Sequence, residues 1–346
     1  MRILILGNDY SAQSFFELFK KDEKNIVFST IQNCNYIDFQ GIDDICEFIE
    51  ANDINFVLIN DEEIISSGLQ ELIGYQNVTV FSPSAEAVLI SASKAYAKRF
   101  MYKNKIPTAR FQIFEKQQQA LDYVKNLENP VAIKPDNHSA IECTKFAETT
   151  LSAQKIINNL FSSGNKKIII EEYSEGKNIE IYVLSNGFSA QILGICAKYQ
   201  NNISYFEPEF LNEEIINNIF ENAIKPTIEA MQYEGDEYIG ILGFDIILKP
   251  DNTFIMAGYN SFFNDIDVDF YTKGFDVNWL DIFESTVVGD VFSKYEIKPK
   301  NDYQITLRQN NEITYISAKT LGNLELYIDE LYDNKEYKEA LKVWKS

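Results

Sequence analysis

Two lysines, together with the segments around them, are the residues of this chain best placed to do chemistry. Lys94 follows Ser93 at the start of a predicted helix, and a proline-marked turn at 105–109 leads from that helix into the next strand. Lys134 ends the apolar run Val131-Ala132-Ile133, where a buried charge needs a partner. Two ammonium groups placed in this way could bind the phosphates of a nucleotide.

The order of segments resembles that of a known family over most of the chain. The resemblance is carried by Ser93-Lys94, by Ile106-Pro107-Thr108-Ala109, by the strand that runs from Ile168 to Gly176, and by the stretch 213–240. On these motifs the chain is similar to glycinamide ribonucleotide synthetase (phosphoribosylamine–glycine ligase), a member of the ATP-grasp ligases. The resemblance implies a reaction in which ATP phosphorylates a carboxylate and an amine attacks the acyl phosphate, while protein groups position reactants and neutralise charge.

The resemblance also implies an α/β fold in three parts. These are an N-terminal Rossmann-like pre-ATP-grasp domain over residues 1–90, a two-lobed α+β ATP-grasp domain over 91–290, and a small C-terminal lobe over 291–346. The hydrophobic pattern agrees, because apolar runs at 2–6, 56–59 and 78–81 alternate with helical stretches. One long helix is predicted over 212–233, in which Pro226 either introduces a kink or divides the helix.

The nucleotide-binding residues are predicted from the resemblance. Lys94 and Lys134 match the two lysines that contact the phosphates. The run Glu171-Glu172-Tyr173 lies where the backbone of the interlobe hinge pairs with adenine. Asn178 or Glu180 would then bind the ribose hydroxyls.

The resemblance implies a magnesium ion beside the nucleotide. Asp245 matches the first magnesium-binding carboxylate and Asn260 matches an asparagine that completes the site, but Gly258 stands where a second carboxylate is expected. Magnesium is held mainly by carboxylates and phosphate oxygens, so the loss of one anionic ligand predicts a weaker site. Asp265 or Asp267 could supply the missing ligand.

Three further positions depart from the family pattern around the phosphates. The loop at 135–143 contains no glycine, although close backbone approach to phosphate favours glycine, and Glu142 in this loop replaces a lysine. Phe262 replaces an expected arginine. His138, the single histidine of the chain, is predicted to be a surface residue of the same loop, and a chain with one histidine has no histidine-based metal site.

Substrate-binding residues are predicted in the N-terminal domain. A parallel sheet binds ligands beyond the carboxyl ends of its strands, which directs attention to the loops at 7–11 and 60–63. The family binds phosphoribosylamine there through a glycine-rich loop with arginine and histidine, and of these glycines only Gly7 is kept. Asn8 is a second candidate, and Glu62 could hold an amine or a hydroxyl. Asp9 adds negative charge where a 5′-phosphate would lie.

Composition limits the partners and the location of the protein. Asp and Glu outnumber Lys and Arg by 52 to 31, which gives a formal net charge of -21 and argues against nucleic acid or an anionic membrane as a partner. Small-molecule substrates are expected instead. Four scattered cysteines and the short N-terminal apolar run predict a reduced cytoplasmic protein, and the oligomeric state stays open.

Two functional hypotheses follow. The first is an ATP- and magnesium-dependent ligase that resembles phosphoribosylamine–glycine ligase but has a changed substrate. The second is a catalytically inactive relative that acts as a nucleotide-binding, regulatory or structural protein. Glu142, Gly258 and Phe262 favour the second hypothesis, whereas the retained ATP-contacting positions favour the first.

Overall fold

The computed structural model describes residues 1–74, 78–126, 128–136, 144–199, 202–290, 297–309 and 312–331. His138 and Glu142 therefore lie outside the described residues, and so does the stretch 337–344, for which the sequence predicts a helix. Within the described ranges the strands form three sheets. Every helix in the same ranges is too short or too polar to cross a membrane.

The N-terminal sheet is parallel, with strand order β2-β1-β3-β4. Its strands are β1 (Arg2–Leu6), β2 (Ile26–Ser29), β3 (Phe56–Ile59) and β4 (Thr79–Phe81). The helices between them are α1 (Tyr10–Lys20), α2 (Ile42–Ala51), α3 (Glu62–Ser66) and α4 (Leu69–Ile73). The almost wholly buried β1 and β3 are typical of a parallel sheet covered on both faces. The predicted alternating β/α domain is confirmed.

The first lobe after this domain is built on an antiparallel sheet with order β5-β8-β6-β7. Two helices, α5 (Leu89–Ala92) and α6 (Lys94–Lys103), lead into it. The sheet contains β5 (Phe111–Phe114), β6 (Val131–Pro135), β7 (Lys145–Ala147) and β8 (Ile168–Glu172), and it packs against α7 (Gln117–Tyr123) and α8 (Thr150–Ser162). Thr149 caps α8 by accepting a hydrogen bond from the backbone N–H of Ser152. We call this unit the small lobe.

The third sheet is antiparallel and has seven strands, in the order β13-β12-β9-β10-β11-β14-β15. The strands are β9 (Lys177–Asn186), β10 (Ala190–Tyr199), β11 (Ile203–Phe206), β12 (Ile239–Leu248), β13 (Phe254–Asn260), β14 (Tyr303–Gln309) and β15 (Glu312–Ala318). The run Lys249-Pro250-Asp251-Asn252, whose residue types predict a turn, joins β12 to β13. The C-terminal hairpin continues this large sheet by pairing β14 with β11, and α13 (Leu321–Leu331) packs on the hairpin.

The predicted long helix is continuous and contains one wide turn. Asn212 caps α9 (Glu213–Ile219), a π-helical turn follows at Phe220–Ile224, and α10 (Lys225–Glu234) continues without a break. Pro226 lies in the first turn of α10, immediately after the π-helical turn. The wide turn accommodates the missing N–H of the proline, so the proline does not divide the helix.

An aromatic core joins the N-terminal domain to the large sheet. Phe15 of α1 contacts Phe262 and Phe263, which follow β13, and also Trp279 and Phe283 of α12 (Trp279–Val287). The same buried cluster extends to β9 and to α11 (Val268–Gly274). The loops of the parallel sheet are thereby held against the end of the β12–β13 hairpin.

Candidate functional site

Glu171, on the hinge strand β8, lies between two buried lysines from other elements. Lys98 Nζ is 2.9 Å from Glu171 Oε2, and Lys134 Nζ is 3.1 Å from Oε1. The Lys134 contact is an ion pair without good hydrogen-bond geometry, because Oε1 has no hydrogen-bond partner in the described part of the chain. Lys98 is 2% exposed and Lys134 is 8% exposed. We call these three residues the hinge ion cluster.

The pKa values of this cluster follow from burial and from charge. Burial lowers the pKa of Lys98 to about 8, although Glu171 opposes this effect. Burial alone would raise the pKa of Glu171, but Lys134 and Lys98 together lower it below its usual value of 4.5. The cluster contains two lysine side chains and one carboxylate, so by formal charge it has one positive charge in excess.

Both lysines of the cluster reach across to strand β13 of the large sheet. Lys98 Nζ donates to Thr108 Oγ1 at 2.8 Å and to the Met256 carbonyl at 3.3 Å. Lys134 Nζ donates to the Ala257 carbonyl at 3.4 Å. The hinge ion cluster thus contacts the strand that ends in Asn260.

Lys94 is held at the same end of the small lobe as Lys134. Ser93 Oγ and the backbone N–H of Ala95 both donate to Asp136 Oδ1 at 2.8 Å. Asp136 follows β6, the strand that contains Lys134, so this double cap fixes the first turn of α6 beside the end of β6. Lys94 is half-buried there.

The other two hinge residues are exposed. Glu172 is paired loosely with Arg110 at 3.8 Å. The Tyr173 ring lies edge-on to Phe146 with centroids 5.4 Å apart, and both rings are exposed. Phe146 was not predicted, and a single phenylalanine between Lys145 and Ala147 gives no sequence signal for such a pair.

The structure brings Asp245, Asn260 and Glu180 together on three neighbouring strands. Asn260 Nδ2 donates to Glu180 Oε1 at 2.6 Å and to Asp245 Oδ1 at 3.2 Å. Gly258 is opposite Asp245 in the hairpin, and a Cβ atom at Gly258 would lie 3.6 Å from Asp245 Oδ2. Of the two residues predicted for ribose, Glu180 is buried in this group, whereas Asn178 is exposed.

A fourth lysine, Lys198, which the sequence did not indicate, compensates the charge of this group. Lys198 Nζ lies 3.2 Å from Glu180 Oε2 and also contacts Asp267. Burial by itself would lower the pKa of Lys198, but Asp267 and Glu180 raise it above the usual lysine value. Burial pushes the pKa of Glu180 upward and Asp245 adds to the rise, whereas Lys198 opposes it and favours the carboxylate.

Both proposed replacement ligands, Asp265 and Asp267, are bound by other protein groups. Asp267 accepts hydrogen bonds from Tyr182 Oη, at 2.8 Å, and from Ser204 Oγ, in addition to its ion pair with Lys198. Asp265 accepts from the backbone N–H of Ser11 at 3.1 Å. Both carboxylates are internal partners of other protein groups.

The described residues offer few ligands to a metal ion. Within the described ranges, no group of three or more His, Cys, Asp or Glu side chains could hold an ion. Both oxygens of Glu180 accept from side-chain donors, Oε1 from Asn260 and Oε2 from Asn264. The residues present therefore fit one Mg²⁺ held chiefly by nucleotide phosphates, with Asp245 and Asn260 beside it, and they do not fit a second ion.

The candidate substrate residues line the carboxyl edge of the parallel sheet. Gly7 follows β1, and a Cβ atom there would be 2.9 Å from the Asn60 carbonyl, so this close approach requires glycine. Asn8 lines a polar cavity beside β2. Glu62 Oε1 accepts from Ser261 Oγ at 2.8 Å, next to Asn260 in the chain.

Residues 92–268 of the 346 match the family of the phosphoribosylglycinamide synthetase ATP-grasp (A) domain. The chain belongs to that family. A phosphoribosylamine–glycine ligase from Fusobacterium nucleatum is 23% identical over 99% of this chain and 87% of its own length. One from Helicobacter pylori is 25% identical over 96% of this chain and 82% of its own. The predicted resemblance is confirmed.

Solved structures with the same ATP-grasp fold cover nearly the whole chain. The phosphoribosylamine–glycine ligase of Thermotoga maritima has a TM-score of 0.74 at 17% identity, with 96% of each chain covered. The carboxyaminoimidazole ribonucleotide synthase of Aspergillus clavatus, complexed with ATP, has a TM-score of 0.75 at 12% identity and covers 95% of this chain and 97% of its own. The predicted fold class is confirmed.

Proposed function

We propose that this ATP-grasp protein is an ATP-dependent carboxylate–amine ligase whose substrate differs from that of phosphoribosylamine–glycine ligase. The observation that carries the proposal is the contact of Lys98 and Lys134 with strand β13, beside Asp245 and Asn260. Two lysines thus lie beside the strand that ends in Asn260, and the carboxylate of Asp245, which could bind Mg²⁺, lies on the partner strand; this arrangement suits a polyphosphate with its metal ion.

In the proposed reaction a carboxylate oxygen of the substrate attacks the γ-phosphorus of ATP, and ADP leaves. The amine then attacks the acyl carbon, and inorganic phosphate leaves as the C–N bond forms. Lys134 would neutralise phosphate charge, with Lys98 holding Glu171 in place behind it. Mg²⁺ bound with the nucleotide would supply further neutralisation at Asp245 and Asn260.

A second candidate is a relative that binds nucleotide without catalysis. It is favoured by Phe262, which is 6% exposed in the aromatic core at the position where the resemblance expects an arginine. The ion pairs of Lys198 with Glu180 and Asp267 also support it, because carboxylates that are paired with a lysine are less able to bind a metal ion.

Calorimetry with ATP, with and without Mg²⁺, tests the binding that both candidates share. We expect Lys134→Ala to weaken ATP binding at least about tenfold, which is about 1.4 kcal/mol. Lys125→Ala is the matched control, because Lys125 pairs with Asp122 on the exposed surface of the same lobe. Equal affinity of parent and Lys134→Ala would contradict the proposed phosphate site.

An ADP-release screen then separates the two candidates. Glycine and other amino acids are supplied as carboxylates, each with a panel of amines that includes phosphoribosylamine. ADP release that depends on both a carboxylate and an amine supports the ligase. ATP binding with no turnover for any pair supports the non-catalytic candidate.

A further inference from the structure

A polar cavity of about 480 Å³ opens beside the carboxyl ends of β1 and β2. Its lining includes Asn8, which follows β1, and Thr30 and Gln32, which follow β2; Tyr36 and Asp38 complete the polar part. Ligands of parallel α/β sheets bind at this edge. The cavity is therefore a candidate for one of the small-molecule substrates.

The charge of the cavity does not suit an anion. Its lining in the described part of the chain contains the carboxylate of Asp38 and no Lys, Arg or His. The other polar groups are the amides of Asn8 and Gln32 and the hydroxyls of Thr30 and Tyr36. Such a lining favours hydroxyl groups and an ammonium group over a phosphate.

Backbone N–H groups that could bind a phosphate are already used by the protein itself. Helix N-termini bind phosphate through such groups. Here the N–H of Ala12 donates to Asp9 Oδ1 at 2.8 Å, and the N–H of Ser11 donates to Asp265 Oδ1 at 3.1 Å. The N–H of Gly7 donates to Thr30 Oγ1 at 3.0 Å. Two carboxylates thus occupy the positive end of α1.

Hydrogen bonds of the loop after β3 link the cavity to the end of the β12–β13 hairpin. Asn60 Nδ2 donates to Asp9 Oδ1 at 2.9 Å, and Asp9 follows the cavity residue Asn8. Two residues further along the loop, Glu62 accepts from Ser261 at the end of the β12–β13 hairpin. A substrate in the cavity would therefore lie on the side of the N-terminal domain that faces Asn260.

We propose that this cavity binds the amine substrate, and that this amine is a neutral or cationic, hydroxyl-bearing molecule without a phosphate group. The proposal rests on the ligase function proposed above. Asp38 binds the ammonium group, and the amides and hydroxyls of the lining bind the hydroxyls of the substrate. A phosphorylated analogue finds no cation in the lining within the described part of the chain, and the backbone N–H groups of Ala12 and Ser11 are already used by Asp9 and Asp265.

Matched pairs of amines test this proposal on the full chain. The pairs are glucosamine and glucosamine 6-phosphate, ethanolamine and phosphoethanolamine, and serine and phosphoserine. Binding is measured by ligand-observed NMR and calorimetry at low salt, without nucleotide and with ATP. We expect at least one unphosphorylated amine to bind about tenfold or more tightly than its phosphate ester.

Three variants add a test of the binding site. Asp38→Asn should weaken binding of the preferred amine several-fold, and Asp38→Lys should shift the preference towards the phosphate ester. Asp43→Asn, on the exposed face of α2, should change neither the affinity for the preferred amine nor the preference for it over its phosphate ester. Equal or tighter binding of the phosphate esters, or no binding of any amine, overturns the proposal. ATP binding in the same samples reports separately on the proposed function.

Discussion

Phe262 packs edge-on against Phe15, with ring centroids 5.4 Å apart and ring planes at 63°. Phe15 belongs to α1 of the N-terminal domain, and Phe262 follows the hairpin that contains Asp245. The contact therefore joins the two domains at the point where the resemblance expects a charged side chain. A position that would serve chemistry in the family serves packing in this protein.

Removal of the Phe262 ring should destabilise the domain junction. We expect Phe262→Ala to lower the free energy of unfolding by about 3–5 kcal/mol, because it leaves a cavity among Phe15 and Phe263. Phe188→Ala is the control, since Phe188 is 65% exposed and its loss should change stability by no more than about 0.5 kcal/mol. Urea unfolding followed by fluorescence measures both. Similar losses in the two variants would show that Phe262 has no special packing role.

Neutralisation of Glu171 should reveal the strength of the hinge ion cluster. Glu171→Gln leaves Lys98 and Lys134 buried without a carboxylate. We therefore expect the free energy of unfolding to fall by about 3–5 kcal/mol at pH 7. The folded-state pKa of Glu171 is below 4.5, so its stabilising effect is complete above pH 4.5 and is lost as the pH falls through the folded pKa. The difference in the free energy of unfolding between the parent and Glu171→Gln should therefore become smaller as the pH falls below 4.5.

Glu172→Gln is the matched control for the hinge ion cluster. Glu172 is the next residue of β8, but its side chain is 56% exposed and its pair with Arg110 is 3.8 Å long. Its loss should cost less than about 1 kcal/mol. Urea midpoints at several pH values between 3 and 7 compare the three proteins. A Glu171→Gln deficit that stays constant over this range would argue against the ion pairs as its cause.

A carboxylate at position 258 should strengthen magnesium-dependent nucleotide binding. At Gly258 a new Cβ atom would meet Asp245 Oδ2 at 3.6 Å, an ordinary contact. Mg²⁺ should raise the affinity for ATP by a certain factor in the parent protein. We expect this factor to be about ten times larger in Gly258→Glu, because the variant adds an anionic oxygen beside Asp245. Gly258→Gln has the same shape without the charge and should lack this gain. Calorimetry with and without Mg²⁺ measures this factor in both variants. The same factor in Gly258→Glu and Gly258→Gln would count against a metal position at Asp245.

The ion pair of Lys198 with Asp267 should be strongly coupled. Lys198→Met leaves the buried Asp267 carboxylate without its cation, and we expect a loss of about 3–5 kcal/mol. The double variant Lys198→Met/Asp267→Asn removes both charges and should be more stable than Lys198→Met alone. A double-mutant cycle from urea unfolding gives the coupling, which we expect to be about 1–3 kcal/mol. Additive losses would show that the two charges act independently.

Much of the fold could be predicted because its signals are local. The run that ends at Lys134 became β6, and the polar turn at 249–252 became the β12–β13 hairpin. Strands β2 and β7 were missed because both lie at the edge of their sheets and are only partly buried, so their apolar runs are weaker than that of the fully buried β3. Pro226 stayed ambiguous because a π-helical turn depends on the backbone around it and not on one residue type.

By itself, the sequence determined the alternating strands and helices of the N-terminal domain, because apolar runs at regular spacing are a local signal. It also carried the resemblance to the family, and from that resemblance Lys134, Asp245 and Asn260 are predicted as site residues. The tertiary structure alone decided which charges meet: Glu171 with Lys98, and Lys198 with Asp267, which lies 69 positions further along the chain. Such partners come together only when separate strands pair and bury them, because a buried charge is stable only beside its counter-charge and no local pattern records which one that is.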